Sequence, residues 1–175
     1  MSLSRQISFL AMVLLFVGAG CVNRSMIVQS EAMKDGEEIP HVFTCDGENI
    51  NPPLELKRVP ASAKSLAILV EDRDAPNGRF VHWTVWNINP AVTRIDQGSV
   101  PAGARVGMTD FGRPGYGGPC PPDGRHNYRF TVFALDQTLT LPMRATVAEF
   151  DRAIKNHIIG QAVLTASYKR VSYGL

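Results

Sequence analysis

The chain has 175 residues, enough for one domain of ordinary size and too few for two full catalytic domains. Hydrophobic residues make up 45% and charged residues 19%, with 15 Gly and 12 Pro, a balance that excludes a wholly disordered or collagen-like chain. Eighteen Lys plus Arg against 16 Asp plus Glu leave a formal charge of +2, too small to make nucleic acid the expected partner.

Residues 1–20 carry one charge, Arg5, and then an apolar stretch from Ile7 to Gly20 broken only by Ser8. That stretch is short for a membrane helix, which needs about 20 residues, and suits the h-region of a secretory signal. It ends Val17-Gly18-Ala19-Gly20-Cys21, which resembles the lipobox of bacterial lipoproteins, with Gly18 where Leu is usual. In a lipobox the Cys is acylated and becomes the mature N-terminus. A plain signal peptide and an uncleaved anchor are the alternatives. The expected organisation is a lipoprotein-type signal over 1–20, a tether over 21–25 and one domain over 26–175. The expected location is the bacterial cell envelope, facing the periplasm. Cleavage removes Arg5 and no acid, leaving +1, so the membrane tether would be the acyl chains at Cys21 and not surface charge.

Met26 to Gln29 opens the domain as a strand-like run, and His41 to Cys45 reads as a second, ended by the turn pair Asp46-Gly47. Asn51-Pro52-Pro53 breaks structure again. Ser65 to Glu71 is a continuous apolar run, the pattern of a buried strand. Phe80 to Ile88, rich in aromatic and β-branched residues, is another, and Tyr128 to Leu135 and Ala162 to Val171 add two more. One helix is expected near 146–158. Thr146-Val147-Ala148-Glu149 has the form of a capping box, and Val147, Phe150, Ile154 and Ile158 recur on one helical face, with Gly160 as the stop. His157 adjoins that face and reads as structural. The fold class is therefore mainly β with flanking helical structure.

Cys45 and Cys120 are the cysteines left if Cys21 is acylated. An exported protein permits a disulfide between them, which would add roughly 3 to 5 kcal/mol if unstrained. Spacing leaves two buried free thiols equally open.

Two segments concentrate chemistry at strand mouths. Asp72-Arg73-Asp74-Ala75-Pro76 follows one strand, with His82-Trp83 heading the next, and Gly115 to Gly124 leads to His126-Asn127-Tyr128 at the start of another. Loops held by a rigid sheet are favoured places for binding residues. The reading is a small anion pocket. Gly117 and Gly118 would bring backbone N–H groups close to a ligand as a nest, and Pro121 and Pro122 would stiffen the wall. His82, His126 and the Tyr128 hydroxyl would donate to phosphate-like oxygens. Asp72 would orient a histidine or meet the cationic end of a zwitterion. The plainer reading of Asp-x-Asp is an Asx-turn, and of the Gly/Pro stretch a turn. Two His and an Asp also occur in metal triads, but there is no His-Glu-x-x-His, no Gly-x-Ser-x-Gly elbow and no phosphate-binding Gly-x-x-x-x-Gly-Lys loop. No cofactor or metal is expected.

These residues, with Ile39-Pro40, Phe43 to Asn49, Pro52-Pro53-Leu54, Ala134-Leu135-Asp136 and Tyr168-Lys169-Arg170, resemble the phosphatidylethanolamine-binding protein family, in particular its bacterial Raf kinase inhibitor-like branch. The resemblance implies a large antiparallel sheet packed with a smaller sheet, flanking helices and a ligand pocket at one end. It places Asp72, His82, Pro122, His126 and Tyr128 on the pocket positions, with Ala75, Pro76 and Gly118 beside them, and it implies a cis Ala75-Pro76 peptide. Arg73 stands where the family usually has Pro, Asn127 where it has Arg, and Leu56-Lys57 lacks the usual Trp. The implied function is non-enzymatic binding of a small phosphate-bearing anion or phospholipid head group. An interaction or inhibitor module for a protease or signalling partner is the alternative, with a hydrolytic or metal enzyme behind both.

Overall fold

A computed structural model describes residues 25–170. The signal segment, Cys21 and most of the tether lie outside the described residues, as does Val171.

The described chain forms strands β1 (Ile27–Gln29), β2 (Leu54–Lys57), β3 (Ser65–Asp72), β4 (Phe80–Ile88), β5 (Arg94–Ile95), β6 (Arg105–Val106), β7 (His126–Leu135) and β8 (Ile158–Tyr168), with one α-helix, α1 (Val147–Ile154). Strands β6-β4-β3-β7-β8 make a five-stranded sheet and β1-β2-β5 a three-stranded one, with every ladder antiparallel. This is the expected large sheet and smaller sheet.

Central strand β3 is buried at all eight positions, because both faces of the large sheet are covered. Leu66, Ile68 and Val70 join Tyr128, Phe130 and Val132 of β7 and Leu54 and Leu56 of β2 in a core between the sheets. Ala67 and Leu69 face the other way, into a second core closed by Phe150 and Ile154 of α1. A strand covered on both faces loses the apolar–polar alternation of a one-sided strand, which is why Ser65 to Glu71 is continuously apolar.

Helix α1 begins as expected. Thr146 Oγ1 accepts from Glu149 N at 3.3 Å, and the Glu149 carboxylate accepts from Thr146 N at 2.8 Å. It ends at Ile154, four residues before the expected boundary, and the reason is tertiary. His157 N–H donates to Ile154 O (2.9 Å), Asp136 N–H to His157 O (3.0 Å), and His157 Nδ1 meets Asp136 Oδ1 (2.8 Å). These bonds turn the chain straight into β8. Ile158, whose spacing matched the helix face, is instead the first residue of β8 and is 38% exposed. Gly160 is no helix stop: it sits within β8, where a Cβ would come 3.0 Å from Pro60 Cγ.

His41–Phe43 is a 3₁₀ turn and not the strand read from its composition. Phe43 N–H donates to Pro40 O and Thr44 N–H to His41 O, both at 3.0 Å, so local bonds take the donors a sheet ladder would have used. Strand β2 starts immediately after the Pro-Pro break, and its alternation of buried Leu54 and Leu56 is too short to stand out. Cys45 and Cys120 are joined in a disulfide with Cα atoms 5.4 Å apart.

Candidate functional site

Strand order β4-β3-β7 and antiparallel pairing bring the C-terminal end of β3 beside the N-terminal ends of β4 and β7. Asp72 is directly opposite Phe80 on one side and Tyr128 on the other. Opposed residues share a sheet face with Cβ atoms about 5 Å apart, so these three side chains converge, and His126 follows two residues along the same face of β7. His82 arrives by another route. Val70 pairs with Trp83 but Glu71 pairs with Val81, which leaves His82 as the extra residue of a β-bulge. A bulge re-aims a side chain, and His82 packs edge-on against the Tyr128 ring, centroids 5.2 Å apart.

The result is a cavity of about 210 Å³ lined by Asp72, Ala75, Pro76, Phe80, His82, Phe111, Cys120, Pro121, Pro122, His126 and Tyr128. Seven of the eight residues read from the sequence as a site are in this lining. Gly118 is not. Its N–H donates to Asn49 Oδ1 (2.6 Å) and Gly117 N–H to His82 O (2.9 Å), so neither belongs to an anion nest. Gly118 is required by close packing: a Cβ there would fall 2.6 Å from Phe43 O and 2.8 Å from Thr44 Cα. At Gly117 it would meet the Phe111 ring.

Asp72 holds the site together. Its Oδ1 accepts from Asp74 N (2.8 Å), the Asx-turn of the plainer reading, and its Oδ2 accepts from His126 Nδ1 (2.7 Å). That pairing fixes the His126 tautomer and leaves Nε2 for the cavity. His82 Nδ1 donates to Gly117 O (2.7 Å), so its Nε2 is likewise left over. Burial pushes the His82 imidazole below its ordinary range, outweighing the Gly117 carbonyl and the Asp72 charge. Burial, followed by the Asp72 charge, pushes the Tyr128 phenol far above its usual range. The Tyr128 hydroxyl is shielded from solvent beside the Asp72 carboxylate and the Cys120 backbone, and among the described residues it makes no hydrogen bond of good geometry. Among the described residues no group of three or more His, Cys, Asp and Glu is arranged to hold a metal ion.

Two of the three departures from the family pattern, Arg73 and Asn127, have structural work at the rim. Asn127 donates twice to Asp74 Oδ2, through its backbone N and its Nδ2, both at 2.8 Å. Arg73 Nε donates to Glu71 Oε1 (2.8 Å), while Arg79 spans Glu71 Oε2 (2.7 Å) and Asp151 of α1 (2.6 Å). The loop between β3 and β4 is thus fastened at both ends. The Ala75-Pro76 peptide is trans, since no peptide bond in the described residues is cis. The turn is closed instead by Gly78 N–H donating to Ala75 O (2.7 Å).

Phe80, Phe111 and Cys120 join the lining beyond the residues read from the sequence, and Pro121, read there as stiffening the wall, lies in it. Cys120 and Pro121 lie inside the Gly/Pro stretch, but Phe111 has no motif around it. It is 39% exposed, packs edge-on against Phe80 and His82, and has the Arg113 guanidinium 5.7 Å above its ring.

A family model described as phosphatidylethanolamine-binding protein matches residues 29–169. A UPF0098 protein of Pyrococcus abyssi is 41% identical over 172 residues, covering 91% of this chain and 96% of its own length. One from Aquifex aeolicus is 43% identical over 164 residues, covering 89% and 94%. A putative phosphatidylethanolamine-binding protein homolog of Chlamydia trachomatis superposes with a TM-score of 0.80 at 37% identity, over 84% of this chain and 99% of that one. E. coli YbcL superposes equally well, TM-score 0.80, at 32% identity over 85% and 100%. The chain belongs to the phosphatidylethanolamine-binding protein family, with matches that include its bacterial branch.

Proposed function

We propose that this protein is a non-enzymatic binding protein whose cavity takes a small phosphate-bearing anion or phospholipid head group. The observation that carries the reading is the convergence on one small cavity of two imidazoles that each keep one ring nitrogen free and of the Tyr128 hydroxyl, which makes no hydrogen bond of good geometry among the described residues. Buried polar groups are normally paired, so a hydroxyl without a well-formed bond in a small cavity supports a ligand oxygen as its partner. The cavity, about 210 Å³, is below the usual range of drug-sized sites and suits a phosphate with a short stem better than acyl chains. Export and acylation at Cys21 complete the proposal and place the pocket at a bacterial envelope.

Calorimetric titration with O-phosphorylethanolamine tests the pocket. His126→Ala should abolish binding while the circular dichroism spectrum persists, and unchanged binding in both His126→Ala and His82→Ala would refute the reading. Fractionation of Cys21→Ser tests the anchor: the variant should leave the membrane fraction, and unchanged retention defeats the assignment. The exposed Phe111 at the rim favours the second reading, a protein-interaction module. Recovery of an envelope partner that ignores the pocket substitutions would favour it over ligand capture.

A further inference from the structure

The cavity is polar at its floor and apolar at its mouth. Asp72, His82, His126 and Tyr128 are at most 6% exposed, whereas Phe111 is 39% exposed and Pro76 and Pro122 of the same lining are also exposed. An anion held by the floor therefore carries its remaining atoms out past apolar side chains. Phe111 is a built part of that mouth. It stands at the tip of a tight turn closed by Thr109 N–H donating to Arg113 O (3.1 Å) and Gly112 N–H to Thr109 O (3.0 Å). Asp110 ties the turn to β4, its N–H donating to Val81 O (3.1 Å) and its Oδ2 accepting from Val81 N (2.6 Å). The Phe111 ring is seated edge-on against Phe80 and His82, with centroids 4.8 Å and 5.2 Å away. A wall positioned in advance in this way loses little freedom when a ligand arrives.

The lining offers no free counter-charge to a cation. Asp72 is its one carboxylate among the described residues, and both oxygens are engaged, Oδ1 by Asp74 N (2.8 Å) and Oδ2 by His126 Nδ1 (2.7 Å). Asp74 Oδ2 holds two N–H groups of Asn127, and Asp123, next to Pro122, is exposed and outside the lining. Of the four arginines that flank the lining segments, Arg73, Arg79 and Arg125 pair with carboxylates. Arg113 pairs with none among the described residues and holds its guanidinium 5.7 Å from the Phe111 ring centroid, over a face that a ligand ammonium would otherwise use.

Resting on the pocket reading above, we propose that the cavity selects a phosphate carrying a short uncharged carbon stem over one carrying an ammonium stem, and that Phe111 is the residue that reads the stem. The floor takes the phosphate oxygens. The CH₂ groups of the stem leave water against Phe111, Phe80 and Pro76, which is favourable without any directional bond. An ammonium in the same place loses water without gaining a partner, and it faces the positive charge of Arg113. The ligand class is an alkyl phosphate, either a free ester or the phosphate end of a lipid.

The experiment is calorimetric titration of the full chain with n-propyl phosphate and with O-phosphorylethanolamine, which match in length and differ by a methyl against an ammonium. At about pH 8 both phosphates are doubly ionised and the amine keeps its proton. n-Propyl phosphate should bind about tenfold more tightly. Phe111→Ala should remove most of that ratio and Phe111→Leu should keep it, which separates the stem from the difference in net charge between the probes. Arg113→Gln should narrow the ratio by favouring O-phosphorylethanolamine. Equal or reversed affinities in the wild type, or a ratio undiminished in a folded Phe111→Ala, would overturn the inference and leave the pocket reading standing. Should Phe111→Ala fail to fold, Arg113→Gln decides, an unchanged ratio overturning the inference. Displacement of n-propyl phosphate by water-soluble dibutyryl phosphatidic acid would assign the stem to a lipid and failure to compete would assign it to a free ester, and both results uphold the stem preference. Absence of binding by both titrated probes would overturn the inference and the pocket reading together.

Discussion

Replacing Tyr128 by Phe should move stability and binding in opposite directions. The Tyr128 side chain is fully buried and its ring packs against His82, while its hydroxyl makes no hydrogen bond of good geometry. Phe keeps the ring and its packing and deletes the side chain's own polar atom, one of three buried polar side-chain atoms without a well-formed hydrogen bond among the described residues, with Trp83 Nε1 and Trp86 Nε1. An unsatisfied buried hydroxyl costs a fold about 1–3 kcal/mol, so the substitution should stabilise the ligand-free protein by about 1 kcal/mol. For a domain of this size that is a rise in Tm of roughly 2–4 °C. Binding should suffer, because a hydrogen bond to a charged oxygen contributes about 1.5–3 kcal/mol, or roughly a 10- to 100-fold loss of affinity. Urea denaturation and thermal melts of the free protein, paired with calorimetric titration of O-phosphorylethanolamine, measure both signs. A Tyr128→Phe protein that is destabilised would mean the hydroxyl already has an internal partner. Undiminished affinity would mean it is not aimed at the ligand.

Three further outcomes follow from particular contacts. Cys45 and Cys120 lie 75 residues apart in sequence, so Cys45→Ser with Cys120→Ser should lower stability by about 4 kcal/mol from loop-closure entropy, read as a lower urea midpoint that matches the reduced wild type. Arg79→Met leaves buried Glu71, only 3% exposed, with Arg73 as its remaining partner and should cost about 2–3 kcal/mol in the same assay. A neutral effect would mean that Arg73 alone compensates the carboxylate. For pH, the folded His82 is depressed below its unfolded value near 6.5, so the unfolded chain binds more protons between the two. Its contribution to stability is therefore present above about pH 6.5 and lost as pH falls toward the folded value, at no more than about 1.4 kcal/mol per pH unit. Denaturation midpoints of wild type and His82→Gln between pH 5 and 8 should diverge on the acid side, and parallel curves would contradict the shift.

The contrast between elements shows what local patterning reveals. β3 and β4 were legible because burial on both faces requires long β-branched and aromatic runs. The start of α1 was legible because a capping box satisfies its own N–H groups within four residues. The end of α1 was not, because His157 is drawn to Asp136, a residue on another segment. His41–Phe43 was misread for a different reason: Phe43 and Val42 serve the core between the sheets, but the backbone bonds of the segment are local. At the site, Asp72, His82, His126 and Tyr128 carry distinctive chemistry and could be named from the chain alone. Phe111 could not, since an isolated phenylalanine acquires its place at the cavity mouth only by packing on Phe80 and His82.

What the amino-acid order determined by itself was therefore the kind of fold and the chemical groups available to it, because hydrophobic runs, caps and motif spacings act over a few neighbouring residues. Tertiary structure alone decided how those groups are used. The bulge at His82 aims its imidazole, the Gly117 carbonyl chooses which of its nitrogens stays bare, and Asn49 withdraws the Gly118 N–H from the cavity. Each depends on where two distant stretches of chain meet, and a hydrogen bond or a packed ring is decided by distances that sequence separation does not encode.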